Sequence, residues 1–306
     1  MSDLKLTVLI ENSAPENLIA EHGLSILVET PRTKFIFDCG HTGAAFDNAK
    51  TLGVDLSEIK FVALSHSHYD HAGGFPKLLD FAPVEKIFTG KNFWEEKFSV
   101  RDKGQGTGDK KKFLIPHSSF LINRGCGFDE KFLRARGIEQ IVCENIFELE
   151  ENVWLVGNFK RRYEFETIPK KFLRGGNVTL HPAGLLSTAQ NFQPLPPLER
   201  HFVPDDFSDE IILVLRSENG LTVVTACAHS GILNIVADVS ARFDLPIRCV
   251  IGGLHLTGAT HERISRTLDE LKLLGVKKIL PCHCSGEEFM KLCGEKISTG
   301  SVVEIV

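Results

Sequence analysis

Residues 61–74 read F-V-A-L-S-H-S-H-Y-D-H-A-G-G, opening at Phe61 and closing on the pair Gly73-Gly74. Four apolar residues, 61–64, predict a short buried strand. They run straight into His66, His68, Asp70 and His71. Such a density of imidazole and carboxylate is costly to hold at the end of a buried strand, and a metal site is the usual reason to keep it. In an extended segment His66 and His68 point the same way, so they can share one ion. Asp70 and His71 fall past the turn and can serve a second ion beside the first. The competing reading is a solvated polar loop with scattered histidines, and the clustering speaks against it.

Upstream, residues 4–10 (L-K-L-T-V-L-I) predict a strand followed by the polar loop E-N-S-A-P-E-N. A second apolar run covers 26–29, and a third strand over 34–37 ends in Asp38-Cys39-Gly40. A carboxylate at a strand end before glycine often marks the edge of a site, which places Asp38 against the histidine cluster. Residues 44–52 have helical spacing and stop at Gly53; a second helix over 75–81 carries Pro76 near its start, and 84–89 predict another strand. This alternation indicates a layered α/β or α+β domain.

Between about 91 and 210 the pattern weakens. Residues 101–112 are rich in Gly, Lys and Asp and read as an exposed loop. Strand-like runs between 113 and 156 suggest a small sheet or meander. The proline-rich stretch 175–209, with P-L-P-P-L at 194–198, reads as a cover over a surface or an opening. His181 and His201 lack partners in spacing and read as structural or solvent-facing.

Order returns at Glu210. Residues 211–216, a turn at Asn219-Gly220 and residues 221–226 predict a β-hairpin. Its second strand ends in Cys227-Ala228-His229, a helical run follows over 232–243, and a strand over 247–251 leads to Gly252-Gly253-Leu254-His255. A helix over 262–274 and a strand over 278–281 lead to Cys282-His283-Cys284. Three successive strands thus deliver a histidine beside small residues, as at His66. That placement points to His229 and His283 as further metal ligands, with His255 a weaker candidate.

The length of 306 residues allows one large domain or two modest ones. A net charge of -5 argues against a nucleic-acid surface; the basic run 110–112 reads as a solvated loop. The N-terminal stretch lacks the apolar core of a signal peptide, and no apolar run approaches the ~20 residues of a membrane span. The eight cysteines are not spaced as a disulfide framework and include no C-x-x-C pair, which fits a reducing cytoplasm.

H-S-H-Y-D-H after an apolar strand resembles the H-x-H-x-D-H signature of the metallo-β-lactamase superfamily, and Asp38 after F-I-F matches its early strand-end Asp. With E-H-G-L-S, F-D-C-G, C-A-H-S-G-I-L-N-I, G-G-L-H-L and P-C-H-C-S-G, the chain is similar to one branch of it. That branch is labelled 7,8-dihydropterin-6-methyl-4-(β-D-ribofuranosyl)aminobenzene-5'-phosphate synthase-like, or metal-dependent hydrolase of the β-lactamase superfamily II. The resemblance covers residues 1–90 and 210–306. It implies an α+β, four-layer αβ/βα sandwich with the metal site at one edge of the sheets, as a single domain over 1–306 with an insertion or cover around 91–210.

The resemblance carries ligand roles to His66, His68, Asp70, His71 and His283. Relatives usually add a third histidine and a bridging Asp, but here the strand ends in C-A-H where many end in G-D. His229 is favoured at that place, because neutral imidazole ligates many divalent ions; Cys227 would bind softer metals as a thiolate. One or two divalent ions are implied, zinc first, with manganese, iron or magnesium as alternatives. Such ions bring the pKa of bound water toward ~7. Asp70 would ligate or orient the hydroxide, and Asp38 would hold a ligand imidazole. His22 and Arg162, the latter within Arg161-Arg162 near Phe165-Glu166, are the substrate-binding candidates.

Three functions stay open at this point. The first is a hydrolase of a small anionic, phosphoester-like substrate. The second is a transferase that joins a dihydropterin pyrophosphate to a ribosylated aminobenzene phosphate and releases pyrophosphate. The third is a sensor or binding module with little turnover. Each implies a small-molecule partner, and neither nucleic acid nor membrane.

Overall fold

In the computed structural model, which describes residues 4–101, 120–175 and 202–305, the chain divides into two compact units. The larger comprises Met1–Trp94, Gly125–Ile168 and Asp206–Val306; the smaller comprises Glu95–Arg124 and Pro169–Asp205. In chain order the elements are β1 (Leu4–Ile10), β2 (Ser25–Glu29), β3 (Lys34–Phe37), α1 (Ala44–Thr51), β4 (Phe61–Ala63), α2 (Tyr69–Ala72), α3 (Phe75–Leu78) and β5 (Lys86–Thr89). Next come β6 (Lys97–Arg101), β7 (Phe120–Asn123), α4 (Glu130–Arg134), β8 (Glu139–Val142), β9 (Ile146–Glu150), β10 (Val153–Gly157), β11 (Phe172–Gly175) and β12 (Phe202–Pro204). The chain continues through β13 (Ile211–Ser217), β14 (Gly220–Thr225), α5 (Ile232–Phe243), β15 (Ile247–Gly252), α6 (His261–Leu273), β16 (Lys278–Pro281), α7 (Glu287–Cys293) and β17 (Val302–Ile305).

Strands that are apolar on both faces must be covered on both faces, and the larger unit does this with four layers. Its seven-stranded sheet has the order β17-β1-β2-β3-β4-β5-β8 and its six-stranded sheet the order β16-β15-β14-β13-β10-β9. The period of two sorts the side chains. Ile26, Val28, Phe35 and Phe37 of the first sheet pack with Leu155, Leu213, Leu215 and Val224 of the second. The alternate residues Leu27, Ile36 and Val62 turn the other way, onto Phe46 and Ala49 of α1 and Phe75 of α3. Ile212, Val214, Val223 and Val250 likewise meet α5 and α6. Fully burying one such side chain contributes about 1.5–3 kcal/mol.

Parallel pairing decides where the chemistry emerges. β3, β4 and β5 are parallel neighbours, so Asp38 and His66 leave the sheet at the same edge. In the second sheet the β13–β14 hairpin closes with Ser217 opposite Gly220, and β14, β15 and β16 then run parallel, joined through α5 and α6. Residues 227–229, 253–255 and 282–284 therefore all follow C-terminal strand ends on one edge, the usual place for sites in such sheets.

The strand-like runs of 113–156 do not form one meander. β7 belongs to the sheet of the smaller unit, β8 pairs parallel to β5, and β10 pairs with β9 and β13. Long-range pairing separates them: Val153 and Leu155 alternate into the core between the sheets, whereas Ile138 packs with α1 and α3. The helix expected over 75–81 ends at Leu78 and finishes in turns, and Asp70 and His71 lie within one helical turn, α2. The smaller unit holds the sheet β12-β11-β6-β7 and a buried Lys97–Asp205 ion pair at 3.0 Å. The basic run 110–112, the prolines of 194–198, His181 and His201 lie outside the described residues. Among the described residues no helix is long and apolar enough to cross a membrane, and every cysteine is a free thiol.

Candidate metal centre

The first sheet delivers His66, His68, Asp70 and His71 on the turn after β4, all buried. Asp38, fully buried after β3, organises them. One of its carboxylate oxygens accepts the Ser65 backbone N–H at 2.7 Å; the other accepts the Ser65 hydroxyl at 2.7 Å and His71 Nδ1 at 2.7 Å. The Ser65 hydroxyl spends its single proton on Asp38, so at 2.9 Å it accepts from His66 Nδ1. Both imidazoles are thereby tied at Nδ1, leaving Nε2 to face a ligand, the arrangement by which outer carboxylates orient metal-bound histidines.

The second sheet contributes from the opposite side by the same device. After β16, His283 Nδ1 donates to Asn12 Oδ1 at 3.1 Å, and the Asn12 amide returns a bond to the His283 carbonyl at 3.0 Å. The buried Glu11 accepts the His283 backbone N–H at 2.7 Å. Glu210, just before β13, accepts the N–H groups of His229 and Ser230 at 2.6 and 2.7 Å. Asp209 accepts the backbone N–H of Ser67 at 3.0 Å and its hydroxyl at 3.1 Å. Phe207 stacks on the His229 ring, with centroids 3.7 Å apart and planes 12° from parallel.

These supports assemble several donor sets, each with ligand atoms within 4.8 Å of one another: His66, His68 and His229; His66, His71 and Cys227; His22, Asp70 and His283; and Cys227, His255 and Cys284. Asp70 Oδ2 is the meeting point of the third. It lies 3.2 Å from His22 Nε2, 3.5 Å from His283 Nε2 and 3.8 Å from His71 Nε2. Three converging imidazoles beside a carboxylate-centred set fit divalent zinc, manganese or iron by the chemistry of the donors.

The electrostatics suit cation binding. Burial, with the neighbouring His255, His66, His68 and His71, holds His229 well below the ordinary histidine range, so its imidazole is neutral. Burial would push Asp70 up, but His71, His22 and His283 hold it well below the usual carboxylate range. Burial would lower His71, yet Asp70 and Asp38 raise it to about 9; a cation that takes its Nε2 displaces a proton. The hydrogen bond to Asp70 raises His22, which stands exposed at the rim and stacks on His283.

His255 is half-buried, its ring centroid 4.3 Å from that of His229. Arg162 is not brought into the cluster. Its backbone N–H binds Asn234 of α5 and its guanidinium lies 3.7 Å from Asp238, on a cavity of about 530 Å³ lined also by Tyr163, Phe165 and Arg266. Glu166 caps α5, accepting the N–H groups of Leu233 and Asn234 at 3.1 and 2.9 Å. Sequence reading passed over Glu11, Asn12, Asp209, Glu210 and Cys284. The signal available was acidic residues placed directly against apolar strands, E-N-S after β1 and D-E before β13.

Two face-to-face sheets, helices outside, and a histidine–carboxylate cluster at one shared edge define the metallo-β-lactamase fold. Residues 18–107 match the family model of the metallo-beta-lactamase superfamily. It is 28% identical to the 7,8-dihydropterin-6-methyl-4-(beta-D-ribofuranosyl)-aminobenzene-5'-phosphate synthase of Methanocaldococcus jannaschii, covering 99% of this chain and 97% of the relative. The crystal structure of Tm1679, described as a metal-dependent hydrolase of the beta-lactamase superfamily, superposes with a TM-score of 0.73 at 28% identity over 99% of each chain. The metallo-beta-lactamase fold protein YhfI from Bacillus subtilis shares the fold, with a TM-score of 0.51 at 13% identity over 99% of this chain and all of the other.

Proposed function

We propose that the protein is a metal-dependent hydrolase acting on a small anionic, phosphoester-like substrate. One observation carries the reading: the His66–His68–His229 set stands beside the Asp70–His283–His22 set, with His71 adjoining both. A divalent ion held there supplies Lewis acidity and a nucleophile from water at neutral pH. The side chains of the chain set the rest of the chemistry. Asp70 stays ionised at neutral pH and accepts the proton or hydrogen bond of the attacking group. Asp38 keeps the Nε2 atoms of His66 and His71 aimed at the centre through Ser65 and directly. His22, exposed at the rim, binds an anionic oxygen of the substrate. Phe207 supplies an apolar wall against His229 and His68 that keeps bulk water off their rings.

The test is turnover of a generic phosphodiester by protein loaded with zinc, manganese or iron. His68→Ala is expected to abolish it while leaving the fold intact. An unchanged rate in that variant sinks the site assignment. Metal uptake without turnover of any ester or phosphoester favours a sensor module instead.

A second reading has its own support, the 28% identity along nearly the whole chain to a synthase. In that reading the same centre joins a dihydropterin pyrophosphate to a ribosylated aminobenzene phosphate: the pterin-bearing carbon bonds to the aminobenzene as its bond to the pyrophosphate oxygen breaks. Release of pyrophosphate that depends on both substrates would decide for it.

A further inference from the structure

The reading above leaves Cys284 without a task. It lies in the 3-10 turn His283–Ser285 that follows β16. Its Sγ, the Sγ of Cys227 and an imidazole nitrogen of His255 are all within 4.8 Å of one another. Each comes from a different one of the three parallel strand ends β14, β15 and β16. We propose that Cys227, His255 and Cys284 form a sulfur-rich site for a thiophilic divalent cation of the zinc and cadmium type, adjoining the histidine–carboxylate sets and sharing Cys227 with one of them. It goes beyond the hydrolase reading and does not depend on it.

Donor chemistry is the first argument. Two thiols and an imidazole are a soft set that favours zinc and its heavier congener, unlike the imidazole and carboxylate sets next to it, which also suit manganese or iron. Three protein ligands leave a fourth tetrahedral position open, as in many reactive zinc sites. Binding is balanced: the ion takes two thiolate sulfurs and one neutral imidazole nitrogen, and two thiol protons leave to solvent.

The backbone is the second argument, because it is shaped to admit this set. A Cβ on Gly253 would lie 2.7 Å from Cys284 Sγ and 2.1 Å from the Ala226 carbonyl oxygen, so only glycine leaves room for the thiol. Ala228, His255 and His283 have φ of 54°, 54° and 51°. Left-handed backbone at non-glycine residues is strained and gathers at functional sites; here one such residue occurs at each of the three strand ends. Cys284 is also held in place by local bonds. Its Sγ accepts the His255 N–H at 3.3 Å and lies 3.6 Å from the Cys227 carbonyl oxygen.

Cys227 gives the site its connection. Its Sγ is 3.2 Å from His71 Nε2 and also belongs to the His66–His71–Cys227 set. A thiolate there touches both regions.

The experiment titrates reduced, metal-stripped protein with cadmium in the absence of oxygen. Wild type is expected to develop thiolate-to-cadmium absorption from two sulfurs on one ion. Cys284→Ser should keep about half of it and bind that ion at least ~10-fold more weakly, the low end of the cost of disturbing even an outer-shell partner. Cadmium-113 resonance of the wild type counts the sulfurs directly, so the test stands even where the variant fails to fold. A two-sulfur resonance supports the site. Resonances confined to nitrogen and oxygen ligation, or equal absorption in Cys284→Ser, would each overturn it.

Discussion

A carboxylate taken out of water must be repaid in hydrogen bonds, and the buried carboxylates of Glu11, Asp38, Asp209 and Glu210 are repaid by the very loops that carry the histidines. Asp38 is the most exacting. It accepts from Ser65 twice and from His71 Nδ1. Asp38→Asn removes the charge that holds His71 in its tautomer while preserving volume. We expect metal affinity to fall ~10–100-fold, as for other outer-shell partners of metal-bound histidines, measured by competition with a chelator of known affinity. Unchanged affinity would detach Asp38 from the site. Asp38→Ala leaves several buried donors unsatisfied at about 1–3 kcal/mol each and should unfold more readily as well.

Glu166 is a second residue whose environment makes a measurable statement, this time at the start of α5. Burial raises its carboxyl to about 6, against the two N–H bonds of α5 that pull it down. The fold therefore prefers the protonated form. Its contribution is fully present below the unfolded value near 4.5 and is lost as pH rises through about 6. Over that window wild type should lose about 2 kcal/mol relative to Glu166→Gln, at about 1.36 kcal/mol per pKa unit. Urea denaturation of both proteins at pH 4.5, 5.5 and 6.5 reads the slope; parallel profiles would contradict it.

At the level of elements, the site exists because two sets of parallel strands end at one edge. β15 enters that edge through Gly252, whose φ is 114° and whose Cβ, were there one, would sit 1.9 Å from the Thr225 carbonyl oxygen on β14. Gly252→Ala must push apart the ends of β14 and β15, which carry His229 and His255. A loss of about 1–3 kcal/mol is expected from overpacking, and the cost should appear in metal affinity as well as in the denaturation midpoint. A variant that binds metal as wild type does would show that these two strand ends are not coupled.

Much of this was legible in the chain because the signals were local. H-S-H-Y-D-H, the hairpin at Asn219-Gly220, and helix 232–243 each announce themselves within a dozen residues. His229 and His283 were legible by repetition, since each follows an apolar strand and small residues. What escaped depends on long-range pairing. No local pattern says that Glu11 reaches His283, 272 positions away, or that Asp209 holds Ser67 across 142 positions. The placement of Arg162 was hidden for the same reason: a basic residue near an aromatic carries no local sign that the fold sets its guanidinium 3.7 Å from Asp238 on α5.

For the molecule as a whole, the centre gathers many polar groups out of water. His66, His68, His71, His229 and His283 are all buried in one place with Asp70, and side chains this polar are removed from water only when something compensates them. A divalent ion bound by the donor sets would add to the compensation that the hydrogen bonds supply, so the larger unit should gain stability from metal. At free metal 100-fold above Kd the gain is about 2.7 kcal/mol. For a unit of this size class, each kcal/mol moves Tm by about 2–4 °C, so zinc or manganese should raise it by about 5–10 °C. The ligands must shed protons to bind, so the shift should shrink as pH is lowered from 8 toward 6. Calorimetric scans with and without metal at each pH make the measurement. His68→Ala, lacking one ligand of the first set, should show a smaller shift than wild type at every pH. A Tm indifferent to metal, or a shift equal in His68→Ala, would mean that the buried imidazoles are compensated from within the protein and that the cluster is not a metal centre.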